Sequence, residues 1–149
     1  MAISQKGQYA LRALFELAKH YGHGPVKIAE IAEAQAIPAR FLEVILSELK
    51  RGAFVASKRG REGGYLLDRS PRRMTAGEVI RFVEGPLAPV SCVTGQGGLE
   101  CPLAGECAFL EMWKEASDAL SGVYDGTSLQ DLLERDRRRR GSYTPSYAI

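Results

Sequence analysis

Cysteine, histidine and tryptophan are scarce in this chain: three, two and one among 149 residues. An odd count of thiols does not make the paired disulfide framework that staples small secreted domains. No stretch approaches the roughly eighteen consecutive apolar residues that mark a membrane-spanning helix. The first residues also lack the basic segment, apolar core and cleavage site of a secretory leader. The expected location is cytoplasmic, with no membrane partner. The two histidines, His20 and His23, border a turn with no nucleophile close in sequence. Nothing therefore asks for a Cys-His hydrolase, and no enzyme is expected. A strong net charge is also missing, at +2 overall, yet residues 1–75 carry 13 Lys/Arg against 7 Asp/Glu (net +6) and residues 76–149 carry 7 against 11 (net −4). A basic half suits a nucleic-acid-facing surface, because neutralising phosphates supplies most of the sequence-independent affinity for DNA.

What is present is the composition of an ordinary folded protein, 45% hydrophobic and 26% charged, sufficient for one domain with a core. Residues 4–20 place Tyr9, Leu11, Leu14, Phe15, Leu17 and Ala18 at helical spacing, with Ser4 available as an N-cap. The turn GHGP at 22–25 ends that helix. A second short helix is expected over 26–35, burying Ile28, Ile31 and Ala32, and the turn AIP follows at 36–38. A third, to Lys50, puts Phe41, Leu42, Ile45, Leu46 and Leu49 on one stripe and Arg40, Glu43, Ser47 and Lys50 on the other. Two short helices joined by a tight turn, the second amphipathic, form a helix-turn-helix whose second helix enters the major groove. The segment 53–69 then reads as a β-hairpin: Phe54 and Val55 on one side and Tyr65 to Leu67 on the other flank a basic, glycine-rich turn. Directly after a helix-turn-helix, such a hairpin is a wing. Its Lys58, Arg59 and Arg61 suit phosphates or a narrow minor groove, and Gly60, Gly63 and Gly64 let backbone approach DNA closely.

Thr75 and Glu78 make a capping box for a helix over 74–86, after which residues 87–107 form a Pro/Gly/Cys loop. A further helix over 107–124 carries Phe109, Leu110, Trp113, Ala116, Leu120 and Val123 and is expected to be a dimer seam. Thr127 is expected to cap a last short helix, SLQDLLERD, before a polar tail containing four consecutive arginines. The fold class is therefore mainly α with a small β-hairpin wing, a winged helix-turn-helix plus a long dimerisation helix. It divides into a DNA-binding region over 1–73, a linker helix, cysteine loop and dimerisation helix over 74–136, and a flexible basic tail over 137–149. Cys92, Cys101 and Cys107 are spaced C-x8-C-x5-C. In a reduced compartment that pattern leaves open an iron-sulfur cluster, a zinc site, a thiol-redox sensor or three incidental thiols.

The motifs SQKGQYALRAL at 4–14, GPVKIAEIAE at 24–33, FLEVILSELKRGAFVASKRG at 41–60, EGGYLL at 62–67 and TAGEVIRFVEG at 75–85 together resemble the IscR/NsrR/CymR-type family of winged-helix transcription regulators. The resemblance covers nearly the whole chain. It implies a homodimer on two-fold, double-stranded operator DNA, usually acting as a repressor. It places Glu43 at the position that tunes sequence choice and Arg59 at a basic wing position. It also implies that Cys92, Cys101 and Cys107 hold a [2Fe-2S] or [4Fe-4S] cluster. The chain departs from the pattern in its longer first cysteine gap, in Leu110 where the family has a histidine ligand, and in Gln8 near the place of an acidic one, so the fourth ligand stays unassigned. The ending SYTPSYAI and the segment EGPLAPV at 84–90 are similar to cluster-free, CymR-type members. That likeness implies a partner enzyme of cysteine synthesis, O-acetylserine sulfhydrylase, engaged by the tail through Tyr147 and Ile149.

Overall fold

The computed structural model describes residues 2–95 and 101–142. Six α-helices and one two-stranded sheet are described, in the order α1 (Gln5–Lys19), α2 (Ile28–Gln35), α3 (Ala39–Arg51), β1 (Val55–Lys58), β2 (Gly64–Leu67), α4 (Ala76–Glu84), α5 (Leu110–Asp125) and α6 (Leu129–Ser142). No helix among the described residues is long and apolar enough to cross a membrane.

Helices α1 and α4 begin where a side chain can satisfy their free amide groups. The Ser4 hydroxyl accepts from the Gly7 N–H at 3.1 Å. Thr75 Oγ1 accepts from the Glu78 N–H at 3.3 Å while the Glu78 carboxylate accepts from the Thr75 N–H at 2.9 Å, a reciprocal box. The start of α2 corrects the expected boundary. Val26 is not helical; it forms an antiparallel bridge with Tyr65, through bonds of 2.7 and 2.8 Å. The helix begins only after Lys27, whose N–H donates to Glu30 at 3.1 Å. Sheet geometry outcompetes helix there because Val26 lends β2 a second neighbour.

The core packs α1 against α2, α3, α4 and α6. Leu14, Leu17, Ile31, Leu42, Leu46, Leu49, Met74 and Leu129 are fully buried at its centre. Ala10 and Ala13 of α1 are also fully buried, small residues over which neighbouring helices approach closely. Phe41 is not part of this core. It is 48% exposed, because Leu42, Ile45, Leu46 and Leu49 already fill the inward arc of α3. A smaller cluster of Ala76, Ile80 and Leu87 joins α4 to Tyr124 of α5. Arg81 and Asp125 close that junction with guanidinium-carboxylate bonds of 2.6 and 2.8 Å.

The C-terminal helices also differ from the sequence expectation. Residues 107–109 are a turn and α5 starts at Leu110. The cap of α6 is Ser128, not Thr127: the Ser128 hydroxyl accepts from the Asp131 N–H at 3.0 Å, and Asp131 accepts from the Ser128 N–H at 2.8 Å. Thr127 instead donates its hydroxyl to the Val123 carbonyl at the end of α5. Helix α6 runs on through the arginine run to Ser142, because Asp136 pairs with Arg140 one turn later at 2.8 Å and lies 3.8 Å from Arg139.

Candidate nucleic-acid interface

Helices α2 and α3 are joined by a turn in which Ala36 takes a left-handed conformation (φ 51°) and Ile37 is buried. This conformation costs an L-residue about 1–2 kcal/mol, and burial of Ile37 against the core holds it. The turn leaves one face of α3 in solvent. At about 100° per residue, the arc opposite Leu42, Ile45, Leu46 and Leu49 is centred on Arg40, Val44, Ser47 and Arg51, with Glu43 and Lys50 on one flank. All six of these outer residues are exposed. Arg40 stacks on the Phe41 ring with its guanidinium carbon 4.8 Å from the ring centre. Lys50 donates to the Ser57 hydroxyl at 2.7 Å, tying the end of α3 to β1.

The hairpin is antiparallel, with Val55 opposite Leu67 and Lys58 opposite Gly64. Residues 59–63 form its loop, and Lys58, Arg59 and Arg61 are all exposed. Gly63 and Gly64 are placed differently. Gly63 is buried, and a side chain there would overlap the Lys58 carbonyl. A side chain on Gly64 (φ 154°) would overlap the carbonyl of Val26. These glycines let the wing close on itself and against the residue before α2, and so fix where the basic tip sits.

Sequence reasoning missed two residues of this face, Val44 and Arg51. The signal was available, since both fall on the i, i+4, i+7, i+11 stripe that starts at Arg40. Behind the helix-turn-helix, Glu16 is buried and accepts hydrogen bonds from Gln35 at 2.7 Å and Lys19 at 3.0 Å, linking α1 to the end of α2. Burial pushes the Glu16 carboxyl up, but the bonds from Gln35 and Lys19, the Lys19 charge and a bond from His20 outweigh it and hold the group below its ordinary range.

The cysteine loop leaves α4 and reaches α5. Cys92 lies in a short 3-10 turn over Ser91–Val93 that packs on α5, and Cys107 just precedes that helix. All three thiols are free; Cys92 and Cys101 are exposed and Cys107 is half-buried. As donors they fit an iron-sulfur cluster, which prefers thiolates. Their arrangement does not yet form a site, for among the described residues no three His, Cys, Asp or Glu side chains are gathered to hold a metal ion. Residues 96–100, between the first two cysteines, lie outside the described residues.

Phe109, just before α5, and Met112, Ala116, Ala119 and Val123 within it follow alternating steps of three and four, the 3.5-residue period of a coiled-coil seam. Phe109, Met112 and Val123 are 58%, 48% and 64% exposed. Leu110, Trp113 and Leu120 are half-buried on the other half of the helix, with Ser117, which donates to the Leu87 carbonyl at 2.8 Å.

Residues 3–135 match the model of the Rrf2 family, described as iron-dependent transcriptional regulators. The chain is 39% identical over 132 residues to the HTH-type transcriptional regulator CymR of Bacillus subtilis, covering 89% of each protein. It is 33% identical to IscR of Cronobacter sakazakii, covering 99% of this chain and 94% of that one. The solved structure of CymR, the global cysteine regulator of B. subtilis, superposes with a TM-score of 0.76 at 36% identity, over 91% of this chain and 98% of that one. Family model, relatives and fold agree over nearly the whole length: the chain belongs to the Rrf2 family of winged-helix transcription regulators.

Proposed function

We propose that this protein represses transcription by binding two-fold operator DNA as a homodimer and releases or tightens that grip in response to a signal received at the cysteine loop. One observation carries the reading: a winged helix-turn-helix with a basic outer face is joined to a 16-residue helix, α5, none of whose residues is buried and whose exposed side bears a heptad-spaced apolar seam. In this reading α5 packs on its copy, and the pairing spaces two α3 helices for successive major grooves. Arg40, Glu43 and Ser47 meet base edges and the flanking backbone. Lys58, Arg59 and Arg61 neutralise phosphates or enter the minor groove, while Gly63 and Gly64 keep the wing tight.

The sensory element is Cys92, Cys101 and Cys107, holding a [2Fe-2S] or [4Fe-4S] cluster with a fourth ligand from outside this set. The likeness to IscR supports this, as do the three unpaired thiols. Binding requires the 92–107 loop to close so that the three sulfurs converge. A bound cluster supplies a redox-responsive group; the chain's own part is to couple closure of the loop to α5 through the turn at Ser91–Val93 and the Ser117–Leu87 bond.

The dispersed sulfurs and the likeness to CymR favour a second reading, a cluster-free regulator of sulfur metabolism that acts through thiol oxidation or a partner enzyme. A tail contact with O-acetylserine sulfhydrylase through Tyr147 and Ile149 belongs to that reading; both residues lie outside the described ones. An ultraviolet-visible spectrum with iron and sulfide analysis, on protein purified without oxygen, separates the two. A brown chromophore abolished by each of Cys92→Ser, Cys101→Ser and Cys107→Ser is the expected result. Colourless, iron-free wild-type protein transfers the case to the second reading, and retained zinc would point instead to a zinc-stabilised loop.

A further inference from the structure

The outer arc of α3 carries one residue whose chemistry differs from its neighbours. Val44 sits between Arg40 and Ser47 and is 57% exposed, with Phe41 beside it at 48%. A β-branched residue has lower helix propensity than alanine, so Val44 adds nothing to α3 at a solvent position. Beside these two side chains opens a groove of about 300 Å³ between α1 and α3, lined also by Gln5, Lys6, Tyr9 and Ile45. Its polar groups are engaged with one another. Lys6 pairs with Glu48 at 2.6 Å, and Gln5 donates to the Tyr9 hydroxyl at 2.8 Å. The remaining surface is an apolar step inside a basic face.

We propose that Val44, flanked by Phe41, reads the C5-methyl of a thymine in the major groove. The proposal rests on the reading of α3 as the DNA-facing helix and specifies what this part of it recognises. The major groove presents one apolar group to a protein, the thymine methyl, and an aliphatic or aromatic side chain is what contacts it. Three features point to that occupant and away from a peptide or a small apolar ligand. Val44 is continuous with Arg40, Ser47 and Arg51 on one stripe. The exposed cations Arg40 and Arg51 share that stripe with Val44, as a polyanion would require. And Arg40, held over Phe41 at 4.8 Å, covers one face of that ring, whereas no such cover lies over Val44, 57% of whose surface is exposed.

The test uses the full-length dimer and duplexes enriched by it from a random library. In the enriched duplex each thymine is replaced in turn by uracil, which deletes the methyl and keeps base pairing, and binding is read by fluorescence anisotropy. Wild-type protein should lose about fourfold per half-site at one symmetry-related position, the value of one buried methyl-sized group. Val44→Ala should bind the thymine duplex as weakly as wild type binds the uracil duplex and should not distinguish the two. Its thermal midpoint should not fall, because the residue is exposed and alanine is the better helix former. Indifference of wild type to uracil at every position overturns the proposal, as does a Val44→Ala protein that keeps the full methyl effect. Enrichment of no duplex at all would instead bring down the DNA-binding reading on which the proposal rests.

Discussion

Glu16 is 6% exposed and answers to three donors, Gln35, Lys19 and His20. Its carboxyl is held below its ordinary value of 4.5, so the ionised form is favoured by folding. The stability it contributes is complete above the unfolded value and is lost as pH falls through the lower, folded one. Urea unfolding of wild type and Glu16→Gln should therefore differ by about 1–3 kcal/mol near neutrality, with the gap closing below about pH 4. A gap that widens in acid would reverse the assignment. At the wing, Gly64→Ala must displace the Val26 carbonyl. It is expected to cost about 1–3 kcal/mol and to weaken DNA binding without removing a charge, whereas Arg59→Ala should leave the thermal midpoint alone, weaken binding to every sequence and reduce its salt slope by about one per protomer. Glu43→Ala should mainly broaden sequence choice.

Helices and hairpin carry a different kind of information, because their boundaries depend on single side chains. Ser128→Ala removes the cap of α6 and is expected to cost about 1 kcal/mol in a chemical denaturation series, while Thr127→Ala should cost less, since Thr127 only bonds back to Val123. The Arg81–Asp125 bridge joins α4 to α5 at a half-exposed site, and the bond from Arg81 holds the Asp125 carboxyl below its ordinary range. Screening limits such a bridge to at most about 1 kcal/mol, yet Gly77 has no side chain where Asp125 lies, so the junction is shaped around it. The periodicities of α1, α3 and α4, the hydroxyl caps of α1 and α4 and the basic hairpin are legible in the sequence, because each is written in contiguous residues. What was illegible came from distant partners. Val26 leaves the helix for Tyr65, Phe41 is pushed outward by a core already full, and the choice between Thr127 and Ser128 is made by Asp131. The list Phe109, Leu110, Trp113, Ala116, Leu120 and Val123 mixed two faces of α5, for apolar spacing alone does not say which face meets α4. The exposure of the hairpin cations follows from their pattern; Val44 belongs to neither stripe read from the sequence, although its spacing from Arg40 puts it on the outer one.

Across the whole molecule, one end of the chain faces nucleic acid and the other offers a surface to a second copy, and membership of a family of regulators gives it a non-catalytic role. In the proposed dimer, the seam on α5 sets the spacing of the two reading heads. Met112→Asp and Val123→Asp, each placing a charge in that seam, should leave the monomer fold intact by circular dichroism and shift the molecule toward monomer in analytical ultracentrifugation. They should also weaken operator binding more than tenfold, because a single head loses the second half-site. The central claim is that two copies read one two-fold site through α3 and the wing. Sedimentation of the protein with a duplex enriched from random sequence tests it most directly. An inverted-repeat duplex and a complex mass of two chains on one DNA are expected. A single chain bound to a duplex without two-fold symmetry would contradict it.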